Sequence, residues 1–159
     1  MLPAFYDHFM LKEVLNRELV TIDLQGRTKR EIIYNLLELL SKSGKLKDFD
    51  TALEDLLQHE AGMSTGMANG IAIPHAKTDA VDELIAAVGI TRRKINFECL
   101  DRKPAQIFVM TLSPKDTVGP HVQFLADIGA LLKDKKKRKE MLKAKTDEQL
   151  LQVLIGKPS

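Results

Sequence analysis

Four histidines and one cysteine are the side chains of this sequence best suited to nucleophilic or proton-transfer chemistry, and two of the histidines stand in contexts that would position them. His75 ends the run Gly66-Met67-Ala68-Asn69-Gly70-Ile71-Ala72-Ile73-Pro74-His75-Ala76. Glycines permit positive φ and the close approach of another backbone. Ile71-Ala72-Ile73 reads as a short buried strand, and Pro74 fixes φ and ends ladder pairing, which delivers His75 at the rim of a sheet. A histidine with so stiff a lead-in is placed like a reactive group rather than a surface or core residue. His121 follows Gly119-Pro120 at the start of a helical pattern carrying Val122, Leu125, Ile128 and Leu132. Proline is favoured at the first helical position, so His121 falls in a first turn whose free N–H groups and dipole favour an anion. The bland alternative is a helix-start histidine with no chemistry. Ser64 and Thr65 precede the glycines, where their hydroxyls either donate to an anion or make local turn bonds. Lys77 adds positive potential nearby. A metal hydrolase built on His59, His75 and His121 is the weakest reading, because no close histidine pair and no supporting carboxylate accompany them.

The elements that must hold these groups are legible in outline. Residues 5–16 mix apolar and charged residues at helical spacing as a short lead-in helix, with His8 on its surface. Residues 19–24 alternate as a first strand, and Gln25-Gly26-Arg27 turns out of it. Thr28-Lys29-Arg30-Glu31 is a capping box, and the helix it starts carries Ile32, Ile33, Leu36, Leu37 and Leu40 to a stop at Ser43-Gly44. Asp50 is the expected N-cap of a second helix, burying Leu53, Leu56 and Leu57 and running to His59-Glu60. Residues 85–90 read as a buried strand, Ile95-Asn96-Phe97 to Asp101 as a hairpin return, and residues 107–112 as the most strand-like segment and a central one. A second capping box, Thr146-Asp147-Glu148-Gln149, opens a last helix with Leu150, Leu151, Val153 and Leu154, stopped by Gly156 and Pro158. His75 and His121 each lie at the C-terminal side of a strand, and in an open α/β sheet such ends gather in one crevice. Strands alternating with helical pairs predict an α/β fold, three-layer α/β/α, with a central mixed sheet and helices on both faces.

At 159 residues the chain makes one domain, residues 1–159, long enough to bury roughly two-thirds of its unfolded surface. Its 44% apolar and 29% charged content is ordinary for a globular protein, and a net charge of +2 does not argue for nucleic acid or an acidic substrate. The lysine-rich residues 133–139 are broken by Asp134 and lack interleaved aromatics, so they read as a solvated helix face. Cys99 is single, so the fold needs no internal disulfide. Without a signal-peptide pattern or an apolar run of membrane-spanning length, the expected location is cytoplasmic, with no membrane insertion.

The string from Gly66 to Ala76 resembles the phosphoacceptor signature of type-2 enzyme IIA domains, the fructose, mannitol and nitrogen-regulatory branch of the bacterial phosphoenolpyruvate-dependent sugar phosphotransferase system. The flanking segments fall in the expected order, so the resemblance covers essentially the whole chain. It implies a phosphohistidine carrier: His75 accepts a phosphoryl group from the histidine-containing phosphocarrier protein through Nε2, and passes it to an enzyme IIB component. It places His121 beside the phosphoacceptor for phosphoryl stabilisation, needs no metal or other cofactor, and makes Cys99 a small buried residue rather than a second acceptor. A hydrogen bond from Nδ1–H of His75 to a carbonyl would fix the useful tautomer. The alternative within the family is a regulatory domain whose phosphorylation state controls binding to partner proteins. One departure stands out. The family commonly carries arginine where this chain has His59, followed by an acidic residue like Glu60. Histidine neutralises a phosphoryl group only when protonated, so the change either weakens transfer or is a neutral surface substitution.

Overall fold

The computed structural model describes residues 9–156; His8 and the start of the expected lead-in helix lie outside them. Five strands among the described residues make one mixed sheet: β1 Val20–Thr21, β2 Ile71–Ala72, β3 His75–Lys77, β4 Ile85–Ile95 and β5 Ala105–Ser113. The order is β1-β4-β5-β2, with β3 also on β5. The β4–β5 pair is antiparallel, and the other pairings are parallel. Among the described residues six α-helices surround the sheet: α1 Phe9–Val14, α2 Lys29–Ser41, α3 Phe49–Gly62, α4 Gly119–Lys133, α5 Lys135–Lys143 and α6 Asp147–Ile155.

The two long strands are central because their side chains are apolar on both faces, the pattern of a sheet covered on both sides. On one face, Ile85 and Ala87 of β4 and Phe108, Met110 and Leu112 of β5 pack under Ile32, Ile33, Leu36, Leu37 and Leu40 of α2 and Ala52 and Leu56 of α3. On the other, Ala86, Val88, Ile90, Ile107 and Val109 pack against α1, α4, α5 and α6 through Leu11, Phe124, Ile128, Met141, Leu150 and Leu154. Each such Leu, Ile or Phe contributes roughly 1.5–3 kcal/mol by leaving water. The structure therefore has the three-layer arrangement read from the sequence.

Four local expectations are corrected. The first strand is shorter than residues 19–24, because Arg17–Leu19 form a 3₁₀ turn and side chains take the backbone donors that follow. Asp147 Oδ1 accepts from Ile22 N at 3.0 Å and Thr21 Oγ1 from Asp23 N at 3.1 Å. The N-cap of α3 is Asp48, whose carboxylate accepts from Thr51 N, so Asp50 lies within the first turn. Only Leu56 of the expected stripe is fully buried, while Leu53 and Leu57 lie partly buried at the edge of the core. β4 continues past Ile90 to Ile95, through a register irregularity between those two residues. By contrast, both threonine caps form, Thr28 Oγ1 accepting from Glu31 N at 3.2 Å and Thr146 Oγ1 from Gln149 N at 3.0 Å, while the return bonds reach one residue further out, to Arg27 N and Lys145 N. The lysine-rich stretch ends α4 and fills most of α5, where Lys133, Lys135, Lys136 and Lys139 are exposed and Met141 alone is buried.

Candidate functional site

The glycine loop is shaped by two different demands. At Gly66 the demand is space: a Cβ there would lie 2.8 Å from the Cys99 Cα and 2.9 Å from the Phe97 carbonyl oxygen. The backbone that approaches this glycine thus belongs to the chain's own β4–β5 connection. At Gly70 the demand is conformation. Asn69 and Gly70 are both left-handed, with φ of 64° and 78°, a region that glycine and asparagine tolerate. The turn aims the Gly70 carbonyl at β5, where it accepts from Gln106 N and Ile107 N at 3.0 Å each.

Strand pairing then resumes. Ile71 pairs with Ile107 and Ala72 with Phe108, and after Pro74 the same parallel register continues with His75 opposite Thr111. Proline is tolerated because this is an edge strand, and its carbonyl still accepts from Thr111 N at 3.1 Å. In the structure His75, Ala76 and Lys77 form β3, because backbone pairing to β5 needs no apolar alternation.

The His75 ring nitrogen Nδ1 lies 2.7 Å from the Ile73 carbonyl oxygen. A carbonyl only accepts, so Nδ1 carries the proton, and in the neutral ring Nε2 keeps its lone pair. The half-buried His75 ring is flanked on two sides. The His59 ring, from the last turn of α3, lies 4.7 Å away between centroids, and the His121 ring, from the first turn of α4, lies 5.9 Å away. His121 Nδ1 is 3.4 Å from Ser113 Oγ at the end of β5. Partial burial of this otherwise exposed ring, then repulsion from His75, holds His59 below the ordinary histidine pKa against the opposing pull of Glu60. Burial, His75 and Lys77 do the same to His121. Both flanking rings are therefore mostly neutral at pH 7, and become cations as the pH falls or as negative charge arrives beside them.

Positive potential comes from two further sources. Lys77 donates from Nζ to the Thr117 carbonyl, tying this exposed ammonium to the loop before α4. The α4 N-terminus has Val118 at the N-cap with no side-chain hydrogen bond, and Pro120 in its first turn. Its free N–H groups and dipole favour an anion. Among the described residues no group of three or more His, Cys, Asp or Glu side chains is placed to hold a metal ion.

Ser64 and Thr65 take the local-bonding use. Thr65 donates from its backbone N–H to Glu60 Oε2 at 2.7 Å and from its hydroxyl to Glu60 Oε1. Ser64 Oγ lies 3.0 Å from the Glu98 carbonyl and accepts from Lys29 Nζ at 3.3 Å. Cys99 is buried, and burial together with Asp101 pushes its thiol pKa up. The carbonyl expected to meet His75 Nδ1–H is that of Ile73, which the sequence did not name because a backbone group has no residue signature. The sequence likewise did not point to Lys29, whose only visible role was inside a capping box.

An α/β domain that gathers three imidazoles beside an uncapped helix N-terminus is built to meet an anion. Residues 13–157 match the family described as phosphoenolpyruvate-dependent sugar phosphotransferase system, EIIA 2, and the chain belongs to that family. It is 35% identical over 137 residues to a fructose-specific EIIA component of Haloferax volcanii, covering 86% of this chain and 89% of that protein. It is 31% identical over 147 residues to a nitrogen regulatory protein of Escherichia coli, covering 91% and 88%. Against the fructose-specific EIIABC component of Bacillus subtilis it is 29% identical over 91% of its own length, and spans 23% of that longer protein. Among solved structures, nitrogen regulatory protein IIA-Ntr from Neisseria meningitidis superposes with a TM-score of 0.83 at 24% identity, over 91% of this chain and 99% of that one. The enzyme IIA of a mannitol IIA complex with phosphorylated IIB from Escherichia coli superposes with a TM-score of 0.77 at 18% identity, over 90% and 98%.

Proposed function

We propose that this domain is a phosphohistidine carrier: His75 accepts a phosphoryl group from the histidine-containing phosphocarrier protein and passes it to an enzyme IIB component in sugar uptake. The observation that carries this reading is the Nδ1–H to Ile73 carbonyl bond, which leaves Nε2 as the nucleophile. In the transfer the Nε2 lone pair forms a bond to phosphorus as the donor's nitrogen–phosphorus bond breaks, and the donor imidazole leaves with that electron pair. Such transfer asks for in-line positioning and charge stabilisation. His121, His59, Lys77 and the α4 N-terminus supply the charge, and no cofactor enters the step. Delivery to IIB reverses the geometry. The pairing of a IIA domain of this fold with phosphorylated IIB in the mannitol complex supports that acceptor, and the fructose-specific relative supports a role in sugar uptake.

The test is phosphorylation by phosphoenolpyruvate, enzyme I and the phosphocarrier protein, followed by intact-mass measurement. One phosphoryl group is expected on the wild type, none on His75→Ala, and slowed uptake on His121→Ala. A wild type that stays unmodified with cognate donors would overturn the reading. A second reading is favoured by the nitrogen-regulatory relative: the phosphoryl group on His75 switches docking to a regulated partner. A phosphorylated domain that passes nothing to IIB but changes its affinity for a partner would select it.

A further inference from the structure

The tautomer of His75 depends on one backbone carbonyl, so whatever fixes Ile73 fixes the nucleophile. Ile73 N donates to the Thr65 carbonyl at 3.1 Å, and Thr65 is clamped by both carboxylate oxygens of Glu60. Glu60 stands in the last turn of α3 and is 7% exposed. Its Oε2 pairs with Lys29 Nζ, from the first turn of α2, at 2.8 Å. Lys29 also lies 5.1 Å over the Phe97 ring and reaches Ser64 Oγ. A continuous chain of contacts therefore runs Lys29, Glu60, Thr65, Ile73, His75.

We propose that Glu60, itself held by Lys29, is a positioning residue for His75, its two carboxylate oxygens holding through Thr65 the loop that presents the Ile73 carbonyl and so the Nδ1–H tautomer. This rests on the reading of His75 as phosphoacceptor. A buried carboxylate demands partners, and here the demand is met by the segment that leads into the acceptor. Thr111 N fixes the following Pro74–His75 peptide through the Pro74 carbonyl. Glu60 fixes the near side through Thr65. Without the near clamp the Ser64–Gly66 turn relaxes, the Ile73 carbonyl loses its fixed direction, and the imidazole drifts toward the Nε2–H form, which is not nucleophilic at Nε2.

The test is nitrogen-15 NMR of the His75 ring in wild type, Glu60→Ala, Glu60→Asp, Glu60→Gln and Thr146→Ala, with phosphorylation rates measured in parallel. The wild type should show mainly Nδ1–H. Glu60→Ala and Glu60→Asp should shift signal toward Nε2–H and slow phosphoryl uptake by roughly ten- to a hundredfold, as a misplaced reacting group does. Glu60→Gln should restore the wild-type spectrum, since its carbonyl accepts from the Thr65 N–H and its amide donates to the Thr65 hydroxyl. Thr146→Ala, which loses the distant α6 cap, should lower stability without moving the tautomer. An unchanged His75 spectrum in folded Glu60→Asp overturns the proposal, and that variant decides the matter if Glu60→Ala does not fold. The spectrum needs no donor protein. A Glu60-dependent tautomer in a domain that never takes a phosphoryl group would therefore support the positioning role while removing the relay.

Discussion

His59→Arg asks whether this chain is limited by a flanking cation that is charged in only part of the molecules at neutral pH. His59 lies 4.7 Å from the His75 ring, so a charge there falls within about 5 Å of a phosphoryl group on that ring. A unit charge pair at that distance interacts by about 1 kcal/mol in water and about 3.5 kcal/mol at an effective dielectric of 20. Because His59 is exposed, the lower part of this range applies, about 1–2 kcal/mol, or roughly five- to thirtyfold in the phosphorylation equilibrium. In the unphosphorylated domain His59 sits below its ordinary pKa. With a reference value near 6.5, it carries a proton in fewer than about a quarter of molecules at pH 7. Arginine supplies the charge at every pH. The variant is therefore expected to raise the phosphorylated fraction at pH 7.5, read by intact mass at fixed ratios of donor and acceptor. The advantage should narrow as the pH is lowered and His59 gains its own proton. An Arg-to-wild-type ratio of one at pH 7.5, or a ratio that does not change with pH, would refute the reasoning and make the substitution a neutral surface change.

Other consequences follow from single contacts. Gly66→Ala places a methyl 2.8 Å from the Cys99 Cα, so thermal or urea unfolding should show a loss of about 1–3 kcal/mol, the usual result of overpacking. Cys99 is buried with its thiol pKa pushed up by that burial and by Asp101. Its reaction with a disulfide reagent at pH 8 should be slow in the folded domain and fast in denaturant; equal rates would place it at the surface. His59 and His121 have folded pKa values below the unfolded value, so the unfolded chain takes up protons first as the pH drops. Stability should therefore be full above about pH 7.5 and decline through the unfolded pKa near 6.5. His59→Asn with His121→Asn should flatten that decline in urea titrations. Phe108→Ala, which empties a fully buried ring position, should cost about 3–5 kcal/mol.

What the sequence determined by itself is local. The two capping boxes, the apolar stripes and the two central strands each rest on residue types acting within a few positions. They could be read without the fold because caps and periodicity are short-range. The string ending in Pro74-His75 was likewise legible, as was the first-turn placement of His121. Tertiary structure decided the rest. The strand at residues 19–24 was shortened by Asp147, a partner far along the chain that competes for the Ile22 N–H. His75–Lys77 became a strand through backbone bonds to β5, which composition does not reveal. The assembly of His59, His75 and His121 required the end of α3, an edge strand and the start of α4 to converge. The partner of His75 Nδ1 is a backbone carbonyl, in a loop that Glu60 ties down through Thr65 while pairing with Lys29 of another helix. Such groups have no pattern in sequence, because their roles depend on which distant donors and acceptors the packed sheet brings within hydrogen-bond reach.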